Sequence, residues 1–139
     1  MKNKALYAYR WFMWNILSRP FVGGYLKPSY NHSLAPGSDR YPPPPFIVIS
    51  NHNTFFDPWI IGSYCHSPFA IMCNDDAFRG PALQSWYLNS IGAFPKKKGS
   101  SDFAAMKKTI TLLKAGYPVC IFPEGQTSWD GETQLIYKG

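Results

Sequence analysis

The chain has 139 residues, 45% of them hydrophobic, and carries 14 Lys and Arg against 8 Asp and Glu, for a formal net charge of +6. That length supplies one modest hydrophobic core and argues against two independently folding domains. The basic residues Lys2, Lys4, Arg10, Arg19, Lys27 and Arg40 crowd the first 40 positions against Asp39 alone; no recognition motif joins them, so they predict an anionic lipid surface and exclude a nucleic-acid partner.

The first element in chain order is Ala5-Leu-Tyr-Ala-Tyr-Arg-Trp-Phe-Met-Trp-Asn-Ile-Leu17, apolar around most of its circumference and broken only by Arg10 and Asn15. As a helix it would extend about 20 Å, short of a hydrocarbon core of about 30 Å, which predicts a segment lying in one leaflet rather than spanning it. Its Trp and Tyr residues, flanked by Lys2, Lys4 and Arg19, fit an interfacial belt. The alternative is a helix packed on the protein's own core. A signal peptide is a poor fit, because Arg10 interrupts the apolar run and no small-residue cleavage site follows closely.

Residues 18–45 are rich in Pro, Gly, Ser and Tyr and end in Pro42-Pro43-Pro44-Pro45, which predicts a linker and a stiff lead-in. The expected division is therefore a membrane-associating helix and linker over 1–40 and a second unit over 41–139. Phe46-Ile-Val-Ile-Ser50 reads as a buried strand. Asp57 is the expected N-cap of a following helix, with Pro58 at its first position. Pro68–Cys73 reads as a second strand, followed by a helical stretch near Pro81–Ile91 closed by Gly92.

The clearest periodicity runs over 101–115, where Ser101 is the expected cap and Gly116 the stop, with Phe103, Met106, Ile110 and Leu113 on one face and Lys107, Lys108 and Lys114 on the wet side. Tyr117-Pro-Val-Cys-Ile-Phe122 is a third strand, leading into Pro123-Glu-Gly-Gln-Thr-Ser128. Strands alternating with helices predict an α/β fold, a mixed but largely parallel sheet flanked by helices, with chemistry at the strand ends. Cys65, Cys73 and Cys120 form no C-x-x-C pair, and His32, His52 and His66 have no paired spacing, so neither a disulfide framework nor a metal site is signalled.

The loop Ser50-Asn51-His52-Asn53-Thr54-Phe55-Phe56-Asp57 falls between a strand end and a helix start. On a continuous helix His52 and Asp57 would point about 140° apart, but across a strand–loop–helix turn the carboxylate can fold back onto the imidazole. It would then fix the tautomer and leave the other ring nitrogen free to take a proton. With no Ser or Cys nucleophile beside it, such a pair suits activation of a substrate hydroxyl, or of water. The bland alternative is an Asp that only caps a helix and a His that is a satisfied loop residue.

Asn51-His52-x4-Asp57 and Phe122-Pro123-Glu124-Gly125, in this order, resemble the lysophospholipid and glycerol-phosphate acyltransferase family over roughly residues 45–139. The resemblance implies a catalytic dyad of His52, as base, and Asp57, as its orienting partner, moving an acyl group from acyl-CoA or acyl-carrier protein to a glycerolipid hydroxyl in phospholipid biosynthesis. It implies that Glu124 and Gly125 hold the acceptor, places Asn51 with the substrate-binding residues, and matches Gly92-Ala-Phe-Pro-Lys-Lys-Lys98 to a phosphate-binding strand with Lys98 where Arg is usual.

A lysine offers a point charge without the bidentate fork, and Lys96 or Lys97 could share its task. The resemblance further implies no cofactor beyond the acyl donor, a lipid acceptor as partner, and residence on a membrane at its cytoplasmic face. Two departures qualify it. Gln126-Thr127-Ser128 stands where the family's Thr-Arg-Ser is usual, which weakens the case for a phosphate monoester acceptor. The chain also stops soon after the Phe-Pro-Glu-Gly motif, which reads as a truncation and leaves open a non-catalytic, membrane-binding remnant.

Overall fold

The computed structural model describes residues 3–33, 35, 37, 41–65, 67–97, 101–128 and 130–132. An N-terminal helical arm opens with α1 (Lys4–Phe12), capped by Asn3, whose side chain accepts from the backbone of Ala5 and Leu6. The arm then widens into π-helical turns over Met13–Ser18 and Val22–Leu26, around the short α2 (Arg19–Phe21) and before α3 (Lys27–Tyr30). It ends at Asn31, which takes a left-handed conformation (φ 46°).

The remaining elements are β1 (Ile47–Ile49), α4 (Asp57–Tyr64), β2 (Ala70–Asn74), a 3-10 turn over Asp75–Phe78, α5 (Ala82–Ile91), β3 (Ala93–Lys96), α6 (Phe103–Lys114) and β4 (Val119–Ile121). The four strands form one sheet in the order β1-β4-β2-β3, and all three pairings are parallel.

The topology follows from the handedness of crossovers. The chain moves across the sheet in one direction from β1 to β2 to β3 and then reverses to insert β4 beside β1. Right-handed connections therefore put α4 and α5 on one face and α6 on the other. Strand alternation divides the core accordingly. Val48, Ile71, Cys73, Ala93 and Cys120 join the cluster with Trp59, Leu88 and Ile91. Ala70, Met72, Phe94, Val119 and Ile121 join the cluster with Ala105 and Leu112. Among the described residues Cys65, Cys73 and Cys120 are free. Burial pushes the Cys73 thiol up to about 11, and burial together with the Asp57 charge pushes Cys120 to about 12.

Three expectations change. The stretch from residue 18 is not a linker until after Tyr30, because Pro20 and Pro28 sit in the first turns of α2 and α3, where an N–H has little to lose. One face of this arm packs on the core through Met13, Trp14, Ser18, Val22 and Leu26. Trp14 Nε1 donates to the Ile91 carbonyl at 3.0 Å, and its ring lies where a Cβ on Gly62 would stand, so only glycine lets α4 and the arm approach.

The second change concerns α6. Its cap is Asp102, which accepts from the backbone of Ala104 and Ala105, rather than Ser101. Its buried residues are Ala105, Thr109 and Leu112, while Phe103, Met106 and Ile110 are exposed. The small Ala105 lets the helix approach the sheet, and the Thr109 hydroxyl is satisfied by the Ala105 carbonyl at 2.9 Å, so bulk alone did not decide the buried face. The third change is at Asp57, which is the first residue of α4 with Phe56 as its N-cap, because its carboxylate is turned backwards into the preceding loop.

Candidate active site

Because the strands are parallel, the segments that leave β1, β3 and β4 all emerge at one edge of the sheet. The loop after β1 carries Asn51, His52 and Asn53, and the loop after its immediate neighbour β4 carries Glu124 and Gly125. β3 is three strand spacings from β1, roughly 14 Å at a usual spacing of about 4.8 Å.

His52 Nδ1 lies 3.0 Å from Asp57 Oδ2. A carboxylate can only accept, so Nδ1 carries the proton and Nε2 presents its lone pair. No hydrogen bond to Nε2 occurs among the described residues. The two side chains are about one-fifth exposed, at 20% for His52 and 17% for Asp57.

Asp57 is itself held by the loop. Its Oδ2 accepts from the backbone N–H groups of Asn53 (2.7 Å) and Thr54 (2.8 Å), and its Oδ1 from the Thr54 hydroxyl (2.8 Å). Burial alone would push its carboxyl up, but the His52 ring N–H and these three donors outweigh it and hold it below the usual carboxylate range. An ionised Asp57 held by these donors is suited to stabilise a positive charge on the imidazole.

The β4 loop closes over the other side. The Phe122 ring stacks on the His52 ring, with centroids 4.3 Å apart and planes 26° from parallel. Ser128 N donates to the His52 carbonyl at 2.7 Å, and Ser128 Oγ donates to Asn53 Oδ1 at 3.2 Å. Between these two contacts the turn places Gly125 at φ +65°, a left-handed conformation that glycine adopts without strain. Glu124 is 1% exposed, and neither of its carboxyl oxygens has a hydrogen-bond partner among the described residues.

The structure thus brings His52, Asp57 and the Phe122–Ser128 loop together. Asn51 is exposed in the same loop, its side-chain amide donating to Asn53 Oδ1 at 3.4 Å. Lys98 lies outside the described residues. Lys96 ends β3, and the backbone of Lys97 donates to Asp102. Sequence reasoning missed Thr54, Phe122 and Ser128 as parts of the assembly. The signal for Thr54 was available, since a Thr three positions before an Asp is a common local hydrogen-bond pair; the two β4-loop contacts depend on strand pairing and carry no local signal. Among the described residues no group of three or more His, Cys, Asp or Glu side chains could hold a metal ion.

An acyltransferase family model matches residues 35–139. The chain is 32% identical over 106 residues to the chloroplastic 1-acyl-sn-glycerol-3-phosphate acyltransferase of Arabidopsis thaliana, covering 75% of this chain and 28% of that protein. It is 30% identical over 106 residues to the chloroplastic enzyme of the same name from Brassica napus, covering 75% and 29%. The 1-acyl-sn-glycerol-3-phosphate acyltransferase of Borreliella burgdorferi is 27% identical over 108 residues, covering 76% and 43%. The chain therefore spans less than half the length of these curated relatives. No solved structure matches it. Over most of its length, and across both loops of the site, the chain belongs to the acyltransferase family.

Proposed function

We propose that this chain carries the catalytic part of an acyltransferase of phospholipid biosynthesis, moving a fatty acyl group from acyl-CoA or acyl-carrier protein to a hydroxyl of a lysophospholipid or glycerol-phosphate acceptor. The observation that carries the reading is the His52–Asp57 contact of 3.0 Å with Nε2 left open beside the β4 loop. Nε2 takes the proton of the acceptor hydroxyl as its oxygen attacks the thioester carbonyl. The tetrahedral oxyanion then collapses, the C–S bond breaks, and the leaving thiolate takes the proton back from His52.

Glu124 supports an acceptor-binding role. A buried carboxyl with no hydrogen-bond partner among the described residues is costly, and a second hydroxyl of a glycerol backbone would supply a donor. Gly125 would let that backbone approach closely. Lys96, with Lys97 after it, would meet an acceptor phosphate from across the sheet, and Thr127 in place of a usual Arg favours acceptors that do not require a second fixed cation. The named relatives act on 1-acyl-sn-glycerol-3-phosphate, which makes that lipid the first acceptor to test. The helical arm exposes Trp11, Phe12, Ile16, Leu17, Phe21 and Tyr25, an apolar surface suited to a membrane at its cytoplasmic face. No helix among the described residues is long and apolar enough to cross one.

The test is release of free thiol from acyl-CoA in the presence of lysolipid acceptors on vesicles. His52→Ala should lower turnover by about 10⁴-fold, the upper range for loss of a general base. Full turnover in that variant would refute the assignment. Thioester loss that does not need the acceptor would instead mark a hydrolase, and vesicle binding without any turnover would mark a non-catalytic remnant.

A further inference from the structure

His52 is tethered to Asp57 by a single ring hydrogen bond. One such bond fixes the distance of Nδ1 from the carboxylate but leaves the imidazole room to rock, because χ2 of histidine has broad, shallow wells. Rocking would swing Nε2, on the far side of the ring, through an arc larger than the tolerance of a proton transfer. The carboxylate is clamped by three donors from Asn53 and Thr54, so the freedom left in the pair belongs to the imidazole.

We propose that Phe122 is a positioning residue that sets the plane of the His52 ring, with Ser128 anchoring the two loops that make the contact. This rests on the acyl-transfer reading above. Phe122 follows directly after β4 and its ring lies nearly flat on the imidazole, at 4.3 Å and 26°. That contact opposes the rocking which the Asp57 bond permits. It also places a π face against the ring that becomes cationic in the reaction, a favourable arrangement for the charge.

The stack alone would hold only if the two loops could not slide past each other. Ser128, 8% exposed, prevents that by donating its N–H to the carbonyl of His52 itself and its hydroxyl to the neighbouring Asn53. Asn53 in turn gives its own N–H to Asp57. The base, its orienting carboxylate and the β4 loop therefore form one closed circuit. Phe122 closes it on the ring face and Ser128 on the backbone.

Phe122→Leu keeps apolar volume but removes the flat face, so kcat should fall on the order of tenfold with the acceptor KM within about twofold, and Phe122→Tyr should restore most of the loss. Ring-proton shifts of His52 give a readout independent of turnover. In the wild type they should show the ring-current displacement of a stacked aromatic and a cross-relaxation contact to Phe122; in Phe122→Leu the displacement should vanish, while in Phe122→Tyr it should persist. Equal kcat in Phe122→Leu and wild type, or wild-type His52 protons with no ring-current displacement, would overturn the proposal. If the wild type shows no acyl transfer while the His52 shifts report the stack, the acyl-transfer reading fails and the positioning geometry stands. If Phe122→Leu does not fold, the wild-type spectrum and the tyrosine variant decide.

Discussion

The two loops of the site differ in how completely they satisfy themselves. In the β1–α4 loop the Asp57 carboxylate receives four donors, from His52, Asn53 N, Thr54 N and Thr54 Oγ. In the β4 loop the Glu124 carboxyl is more deeply buried and receives none among the described residues. The first loop satisfies its carboxylate from its own residues, which suits the proposed catalytic role because a preorganised group costs no reorganisation during reaction. The second holds a carboxyl that meets no donor among the described residues, as the proposed acceptor-binding role would require. Similar residue types one strand apart therefore differ in how fully the described residues satisfy them.

That contrast is open to direct attack. Between the two carboxyl groups the larger effect is expected from Asp57→Asn, which removes the charge and replaces one accepting oxygen with a donor facing the Asn53 and Thr54 donors. Turnover should fall on the order of 10²-fold or more, with a lower melting temperature, and both are read on one preparation by thiol release and thermal unfolding. Glu124→Gln should behave oppositely in stability. The acceptor KM should rise about tenfold while the melting temperature holds or climbs by a few degrees, since an unpartnered buried carboxyl is exchanged for a neutral amide. A Glu124→Gln protein that melts well below the wild type would remove the distinction between the loops.

The third expectation concerns acid. Asp57 has a folded-state pKa below its ordinary value of 3.8, so its ionised form contributes stability that is present above the unfolded value and lost as pH falls through the folded one. Melting temperature measured from about pH 5 down to about pH 2 should decline, and the decline should be shallower in Asp57→Asn. The smallest effect is expected from Gly125→Ala. No atom obstructs a Cβ there, but φ is +65°, and the left-handed conformation should cost an alanine about 1 kcal/mol, seen as a lower denaturant midpoint.

How much of this was legible in the sequence depends on the range of the interaction that decides each feature. β1, β2, β4 and α5 follow from short apolar runs and their glycine and proline boundaries, and the structure has them within a residue or two. Asp57 meets His52 as a strand–loop–helix turn requires, because five residues suffice to fold the carboxylate back. The buried face of α6 was misread, since Phe103, Met106 and Ile110 offer more apolar bulk than Ala105 and Thr109, and only the distance to the sheet reveals that small residues are needed there. The helical arm was cut short at residue 18 because prolines read locally as breaks, whereas Pro20 and Pro28 occupy first turns. The adjacency of β1 and β4, which makes the site, was reachable only as the possibility that a parallel neighbour brings Glu124 near His52. Lys98, with its expected phosphate contact, lies outside the described residues.

The three thiols, Cys65 and Cys120 buried and Cys73 half-buried, have a practical consequence. Alkylating reagents attack the thiolate, and a group pushed to about 12, as Cys120 is, or to about 11, as Cys73 is, presents almost none of it at neutral pH. Native Cys65 is likewise raised by burial. A fluorophore could therefore be attached to a single cysteine engineered on the outer surface of α6 without first deleting the native ones. Conversely, slow maleimide uptake by the unaltered chain would time the opening of the sheet, with Cys120 reporting on the strand directly beneath the loops that hold His52.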